Sequence, residues 1–486
     1  MIQSPFYENR SIGVRILSDD QIWEIKRSAL EVLAKTGCKI QHEGAIKLLK
    51  QSGAIIRGDL VRVPEHIVEQ CLLSAPKGIT IYSRDGRRAM EVEGRKSYYG
   101  TSTAAPNTRD ALTGEVRETR LVDIIQGAKI ADALPNINFV MPFGSAQDVE
   151  PKIAEEIHEF EAIVTNTTKP IMFPSYSIKA FEKVYEMASE IAGGLDTLRE
   201  KPFLIAFPEP ITPLVFPHDT VHRVFFAADL GMPQYNGPIA QLGMTGPVTL
   251  AGSLVLVLSE SLMSITLAQL KNPGTPCFLC AGIIPFDMQN GICCNTGPEL
   301  NLCRVALTQI AQSYGLPTFG IAGTSDSFVP DIQAGVESTF SLLNQRLGGI
   351  NIIHGLGYLG SGMVCSSEML VLGNEIVGMV ERFMQGIEVN VDTLARELIH
   401  KVGPGGNYLQ EEHTFKNFRK ELWLPSIFPR QSYDAWQGQN SKDTVKKIKA
   451  TIREILETHK VPPLPDKTVM ALERIKQAGD RELAQG

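Results

Sequence analysis

Between residues 97 and 383 the chain alternates short apolar runs with longer stretches in which apolar residues recur every three to four positions. The short runs at 97–101, 139–144, 171–173, 203–207, 232–235, 277–280, 318–321 and 350–354 read as strands. The longer stretches at 121–134, 153–165, 178–192, 220–230, 250–270, 299–314, 331–347 and 368–383 read as helices. Strict β-then-α alternation predicts parallel strands joined by helical crossovers. Eight such units over roughly 290 residues match a closed (β/α)8 TIM barrel in size. A doubly wound open sheet has the same alternation, and periodicity does not separate the two.

The flanks read differently. Residues 1–95 form an α+β extension. Ser18-Asp19-Asp20 precedes the helical period Ile22, Ile25, Leu30 and Leu33, a second helix lies near Glu43 to Gln51, and Ile79-Thr80-Ile81-Tyr82 reads as a strand. The barrel occupies residues 96–385. Residues 386–486 form a helical extension, opened by the break Gly403-Pro404-Gly405-Gly406-Asn407-Tyr408. It continues through an aromatic, proline-rich segment at 415–436, a charged helix at 441–458, the linker Val461-Pro462-Pro463-Leu464-Pro465 and a last helix.

Composition narrows the function class. A charge of −7 with no basic stripe argues against nucleic acid as a partner. The first ten residues show no signal core. The apolar stretch 249–270 carries Ser253, Ser259, Glu260, Ser261, Ser264, Thr266 and Gln269, which suits a buried amphipathic helix rather than a membrane span. Eight cysteines without an export signal predict thiols in a cytoplasmic protein. A homo-oligomer is expected.

Five predicted strands end in proline, glycine or polar residues: Met141-Pro142-Phe143-Gly144, Phe173-Pro174-Ser175-Tyr176, Phe207-Pro208-Glu209-Pro210, Tyr235-Asn236-Gly237-Pro238 and His354-Gly355-Leu356-Gly357. In a barrel such loops meet at one mouth, where active sites sit. Other signals carry less. Cys277 and Cys280, near Cys293-Cys294, look like half a zinc site, yet positions three apart on a strand face opposite sides. The Gly355–Gly362 run lacks a P-loop lysine and reads as a tight turn. His218 and His222 share a helix face without a His-Glu-x-x-His pattern and read as structural.

The run Gly403-Pro404-Gly405-Gly406-Asn407-Tyr408-Leu409-Gln410-Glu411-Glu412-His413-Thr414 resembles the tail of the trimethylamine methyltransferase family. So do Trp423-Leu424-Pro425 and Ser432-Tyr433-Asp434-Ala435-Trp436. Ala322-Gly323-Thr324-Ser325-Asp326, Asp331-Ile332-Gln333-Ala334-Gly335-Val336-Glu337, His354-Gly355, Leu17-Ser18 and Thr36-Gly37 are similar to the same family. The resemblance implies a (β/α)8 barrel, a methylamine or betaine substrate, and a methyl acceptor that is a corrinoid on a separate corrinoid-binding protein. The family's trimethylamine branch carries pyrrolysine. This chain reads through with ordinary residues, which points to the branch that demethylates quaternary amines such as glycine betaine, proline betaine, carnitine or γ-butyrobetaine. No Asp-x-His-x-x-Gly run is present to ligate cobalt, so the cobalamin belongs to the partner.

A quaternary nitrogen has no lone pair, and demethylation leaves a neutral amine, so no acid, base or metal on this chain is expected. A trimethylammonium group is held by aromatic faces and a nearby anion. Candidates at strand ends are Tyr98, Tyr99, Phe143, Phe173, Tyr176, Phe207, Tyr235 and Tyr358, with Glu209 as the carboxylate. Aromatics there also pack for area alone. His354 closes the eighth strand and is placed to donate to a substrate carboxylate. No Arg or Lys stands at the C-terminal tip of strands two to eight, which argues against a simple glycine betaine clamp and leaves Arg109 as a remote partner for a longer acid. A zinc-dependent methyltransferase on the same fold and a non-catalytic betaine-binding protein are the competing readings.

Overall fold

The computed structural model describes residues 12–438 and 443–484. The opening segment Met1 to Arg10 and the expected helix start at Ser441 lie outside the described residues. Parallel strands Ile171–Pro174, Leu204–Phe207, Gln234–Asn236 and Cys277–Leu279 pair in sequence. Strands Phe319–Ile321, Ile352–Leu356 and Tyr98–Thr101 form a second parallel run. Two links close the ring. Phe139 and Val140 bridge Gly100 to Ile171, and the amide of Leu279 donates to the carbonyl of Pro317 at 2.9 Å. Pairing of the last strand with the first, Ile352 opposite Tyr98, excludes the open sheet.

The eight intervening helices lie within two residues of the expected bounds. The second strand is shorter than expected, only Phe139 and Val140, because Pro142 has no amide to continue the ladder. Gly100 faces inward there: a Cβ on it would stand 2.3 Å from the Phe139 ring, so glycine is what lets that ring fill the barrel.

The antiparallel hairpin Ile79–Tyr82 and Arg88–Val92 plugs the N-terminal end of the barrel. Its Ile79, Ile81, Met90 and Val92 pack with the inward residues Phe139, Met172, Ile205, Phe278 and Ile352. The rim is tied by polar bonds. The side-chain Nδ2 of Asn351 donates to the carbonyls of Glu93, Gly94 and Lys96.

Helix Leu250–Lys271 is the one described helix long and apolar enough to cross a membrane. It is buried on every side from Val257 to Gln269 rather than amphipathic, because helices Asp19–Glu31 and Glu65–Ser74 of the N-terminal region cover its outer face. Its polar residues are satisfied inside: Glu260 accepts from the amide of Leu214 at 2.7 Å and from Thr212 Oγ1 at 3.2 Å. At the other end of the chain, Thr444–Thr458 packs on Ser367–Met384, and Asp466–Ala484 on Ile178–Ala192.

Candidate active site at the barrel mouth

The mouth is built on alternation. Residues two apart on a strand point the same way, so Phe207 follows Ile205 inward and His354 follows Ile352. Tyr235 enters from the neighbouring strand and stacks on Phe207, with ring centroids 4.0 Å apart and planes 5° apart. Phe319 meets Tyr235 edge-on at 4.9 Å and stacks on His354 at 4.7 Å. Tyr358 meets His354 edge-on at 6.4 Å. Five rings thus run across the top of the barrel from the fourth strand to the loop after the eighth. The turn is made by a register shift between Ile353 and Leu356, which sends Leu356 outward. Gly355 sits there at φ 112°, and a Cβ on it would lie 2.9 Å from the carbonyl oxygen of Ala322. The glycine-rich loop is therefore closely packed backbone, the tight turn rather than a cradle.

Charged groups line this row. Glu209 follows the fourth strand, and its Oε1 is buried without a hydrogen-bond partner. Burial raises its carboxyl from the ordinary value to about 7, against the pull of Arg223 and Arg304. Arg304, on helix Pro298–Tyr314, is 6% exposed. Its Nη1 donates to the carbonyl of Ala281, and its Nε has no partner. Burial lowers its pKa, while the groups around it, Tyr235, Cys280, Cys303 and Glu209, favour its charge. Burial and the nearby Arg304 charge hold His354 neutral, with its pKa lowered to about 3, and its Nδ1 is unpaired. A carboxyl group, a cation and a neutral imidazole thus keep open hydrogen-bonding atoms beside one row of aromatic rings. Buried polar groups are ordinarily paired.

A second group borders the mouth. Glu156 accepts from the amide of Tyr176 at 2.9 Å and from Ser175 Oγ, and burial raises its pKa. Glu159, raised to about 8 by burial, accepts from the amide of Ala146 at 2.8 Å. Arg223 Nη1 donates to the carbonyl of Tyr176 at 2.7 Å. Tyr176 itself is 66% exposed. The motif residue Asp326 ties the loops together, accepting from the amide of Asn295 at 2.9 Å and from Ser361 Oγ at 2.8 Å. Glu337 in turn accepts from the amide of Asp326 at 3.0 Å.

Of the ten expected site residues, the structure brings Tyr176, Phe207, Glu209, Tyr235, His354 and Tyr358 to the mouth. It places four elsewhere. Tyr98 opens its strand and points down, where its hydroxyl accepts from the amide of Glu91 at 2.9 Å on the plug. Tyr99, one residue on, points outward and donates to Glu381 at 2.5 Å. Phe143 is buried against helix Leu121–Ala133, filling the space above Gly127. Phe173 points outward and meets Phe160 edge-on at 5.5 Å. Arg109 is no remote anchor either: its Nε donates to Glu368 at 3.0 Å outside the barrel.

Cys277 and Cys280 face opposite sides, the first among the outer helices and the second inside the barrel. All eight cysteines are free. Among the described residues no group of three His, Cys, Asp or Glu side chains converges as a metal cage. His218 stacks on His42 at 4.9 Å, and His222 pairs with Glu182 at 3.3 Å, neither in the row of rings.

The sequence reading missed Arg304, Arg223 and Phe319. Arg304 carried a signal: it lies four residues after Leu300 and three before Leu307, on the buried stripe of its helix. A charge on a core stripe is either paired or functional.

Comparison with known proteins follows the same lines. The family model described as trimethylamine methyltransferase (MTTB) matches residues 2–480. The chain is 29% identical to a trimethylamine methyltransferase of Desulfitobacterium hafniense strain DSM 10664 / DCB-2, over 99% of this chain and 97% of that one. It is 31% identical to a glycine betaine methyltransferase of Desulfitobacterium hafniense strain Y51, over 94% of this chain and 95% of that one. The crystal structure of the Methanosarcina barkeri monomethylamine methyltransferase shares the fold, with a TM-score of 0.51 at 10% identity over 94% of this chain and 90% of that one.

Proposed function

Since the chain belongs to the trimethylamine methyltransferase family, we propose that it demethylates a betaine, a quaternary amine that also bears a carboxylate, and passes the methyl group to the corrinoid of a separate protein. The carrying observation is the pair of buried open atoms of opposite charge, Glu209 Oε1 and Arg304 Nε, on one row of aromatic rings. A zwitterion satisfies both. Trimethylamine offers nothing to Arg304. The argument against a glycine betaine clamp falls away, because the cation comes from a helix rather than a strand tip.

The chain's work in this reading is placement. Tyr235, with one face covered by Phe207, offers its other face to the ammonium, at roughly 0.5–2 kcal/mol per cation–π contact. Glu209 supplies the charge beside it. Arg304 and the neutral His354 hold the carboxylate and so fix which methyl group points out of the barrel. The leaving amine departs neutral and needs no proton from His354, which stays unprotonated across the physiological range. A reduced corrinoid supplies the nucleophile. Its protein meets a rim of exposed apolar side chains on the βα loops: Ile211, Met244, Met288, Phe328 and Met363.

The test is a screen of betaines, choline and trimethylamine for methylation of free Co(I) cobalamin. Carboxylated quaternary amines should be turned over fastest. Faster turnover of trimethylamine or choline would overturn the betaine assignment. Tight betaine binding without any transfer would make the protein a binder.

A further inference from the structure

Glu209 stands in the run Phe207-Pro208-Glu209-Pro210. A proline on each side fixes φ and stiffens the backbone there, and the Glu209 carbonyl accepts from Thr220 Oγ1 at 2.9 Å. The carboxyl is thus held on a stiff turn just past the fourth strand, with Oε1 buried and open. Arg223 and Arg304 are the charges that act on it. Tyr176, Tyr235 and Cys280 are titratable groups that feel its charge.

The two arginines are not equivalent. Arg223 is balanced from elsewhere, because Glu156 and Asp219 act on it ahead of Glu209. The groups that act on Arg304 are Tyr235, Cys280, Cys303 and Glu209, and of these Glu209 is the carboxyl. Charge in the site can therefore be counted. An ionised Glu209 offsets Arg304 in the empty site. A betaine adds one charge of each sign, its carboxylate toward Arg304 and its ammonium toward Glu209, and the balance holds. Methyl transfer upsets it. The N–C bond breaks with its electron pair left on nitrogen, the methyl carbon bonds to the Co(I) nucleophile, and the ammonium charge is gone. Two carboxylates then face one guanidinium. An uncompensated buried anion is costly, and a carboxyl so placed takes a proton instead.

We propose that Glu209 takes up one proton from solvent as the methyl group leaves, so that it is ionised against the substrate and neutral against the demethylated amine. This rests on the betaine reading above. The electron pair left on nitrogen lies along the departed methyl and faces the acceptor, so the carboxylate rather than the bound amine receives the proton. Glu209 ionises again when the next quaternary ammonium arrives. The reverse reaction, methylation of a bound tertiary amine, releases the same proton and is favoured as pH rises.

Single-turnover transfer to free Co(I) cobalamin tests this, using the betaine that the screen above ranks first. The full chain is in excess, concentrated enough to keep the amine bound, with a pH indicator in weak buffer. A free tertiary amine also takes up a proton in water, so the decisive quantity is timing. In the wild type, one proton per methyl group should be taken up at the rate of methylcobalamin formation. In Glu209→Gln, uptake should lag behind that signal and follow amine release. Wild-type uptake that lags transfer overturns the proposal, and so does a variant whose uptake keeps pace with transfer. Calorimetry of the wild type in two buffers of different ionisation enthalpy covers a variant too slow to follow. Burial raises the free carboxyl to about 7, so betaine binding should release close to one proton at about pH 6 and almost none at about pH 8. Equal release at the two pH values overturns the proposal. A protein that turns over no betaine fails in the earlier screen instead, which separates the loss of that reading from the loss of this one.

Discussion

The two ends of the barrel are made by the same strands with the same alternation, and they treat polar atoms in opposite ways. At the plugged end, the Tyr98 hydroxyl is bonded to the backbone of Glu91, and the Asn351 amide serves three carbonyls while its oxygen accepts from Thr318. At the mouth, Glu209, Arg304 and His354 each keep a buried atom open. Leaving a buried group unpaired costs ~1–3 kcal/mol. Unpaired buried atoms occur at both ends, Arg95 Nε on the plug rim among them, but at the mouth an acid, a cation and an imidazole stay open beside one row of aromatic rings, where a single ligand could pair all three. Neither burial nor a single unpaired atom marks a site; what marks it is several open groups of complementary chemistry along one row of rings.

The sharpest way to break this contrast is Arg304→Met. Losing the carboxylate contact should lower kcat/KM for a betaine by about 2–4 kcal/mol, roughly 30- to 1,000-fold. The melting temperature should hold or rise, because replacing an incompletely paired buried charge by an apolar side chain is often neutral. A collapse in stability with unchanged kcat/KM would make Arg304 a structural ion. The mirror experiment is Ile81→Ala at the plug. It should cost ~2–5 kcal/mol in denaturant unfolding, as large-to-small core changes do, and leave KM where it was.

Titration separates the ends next. Glu209 has its carboxyl raised from 4.5 to about 7 by burial, so the folded protein holds that proton more tightly than the unfolded chain. Its ionisation therefore costs stability increasingly as pH rises from about 4.5 to about 7, and no further above. A cationic substrate selects the ionised form, so KM should fall as pH rises toward 7, by about tenfold per unit at the low end. Glu209→Gln should flatten that limb; an unchanged profile would remove Glu209 from the site. The smallest contrast compares two inward tyrosines. Tyr235→Leu should raise KM by the ~0.5–2 kcal/mol of one cation–π contact. Tyr98→Phe should cost ~0.5–1.5 kcal/mol of stability with KM unchanged.

The barrel was legible because each strand and helix announces itself locally. The helix bounds in the structure fall within two residues of those read from periodicity. The site was half legible. Position on a strand decides which aromatics enter the mouth: Phe207 and Tyr235 face inward near the C-terminal tips, whereas Phe173 faces outward and Tyr98 lies one layer too low. Separating these needs the register of the strands, which a run of three to five apolar residues does not state. Arg304 was hidden for another reason. The strand tips were searched for cations, and it arrives from a helix, across sequence distances that only the closed ring shortens.

The hairpin plug also has a kinetic consequence. With one end of the barrel filled by Ile79, Ile81, Met90 and Val92, substrate and product of the proposed reaction share one opening, which an acceptor protein would also have to cover. On the function proposed above, a betaine would have to be in place before the acceptor docks, and the demethylated amine would wait until it leaves. Turnover would then follow a compulsory order, in which excess acceptor competes with the free betaine for access and slows the reaction it is needed for.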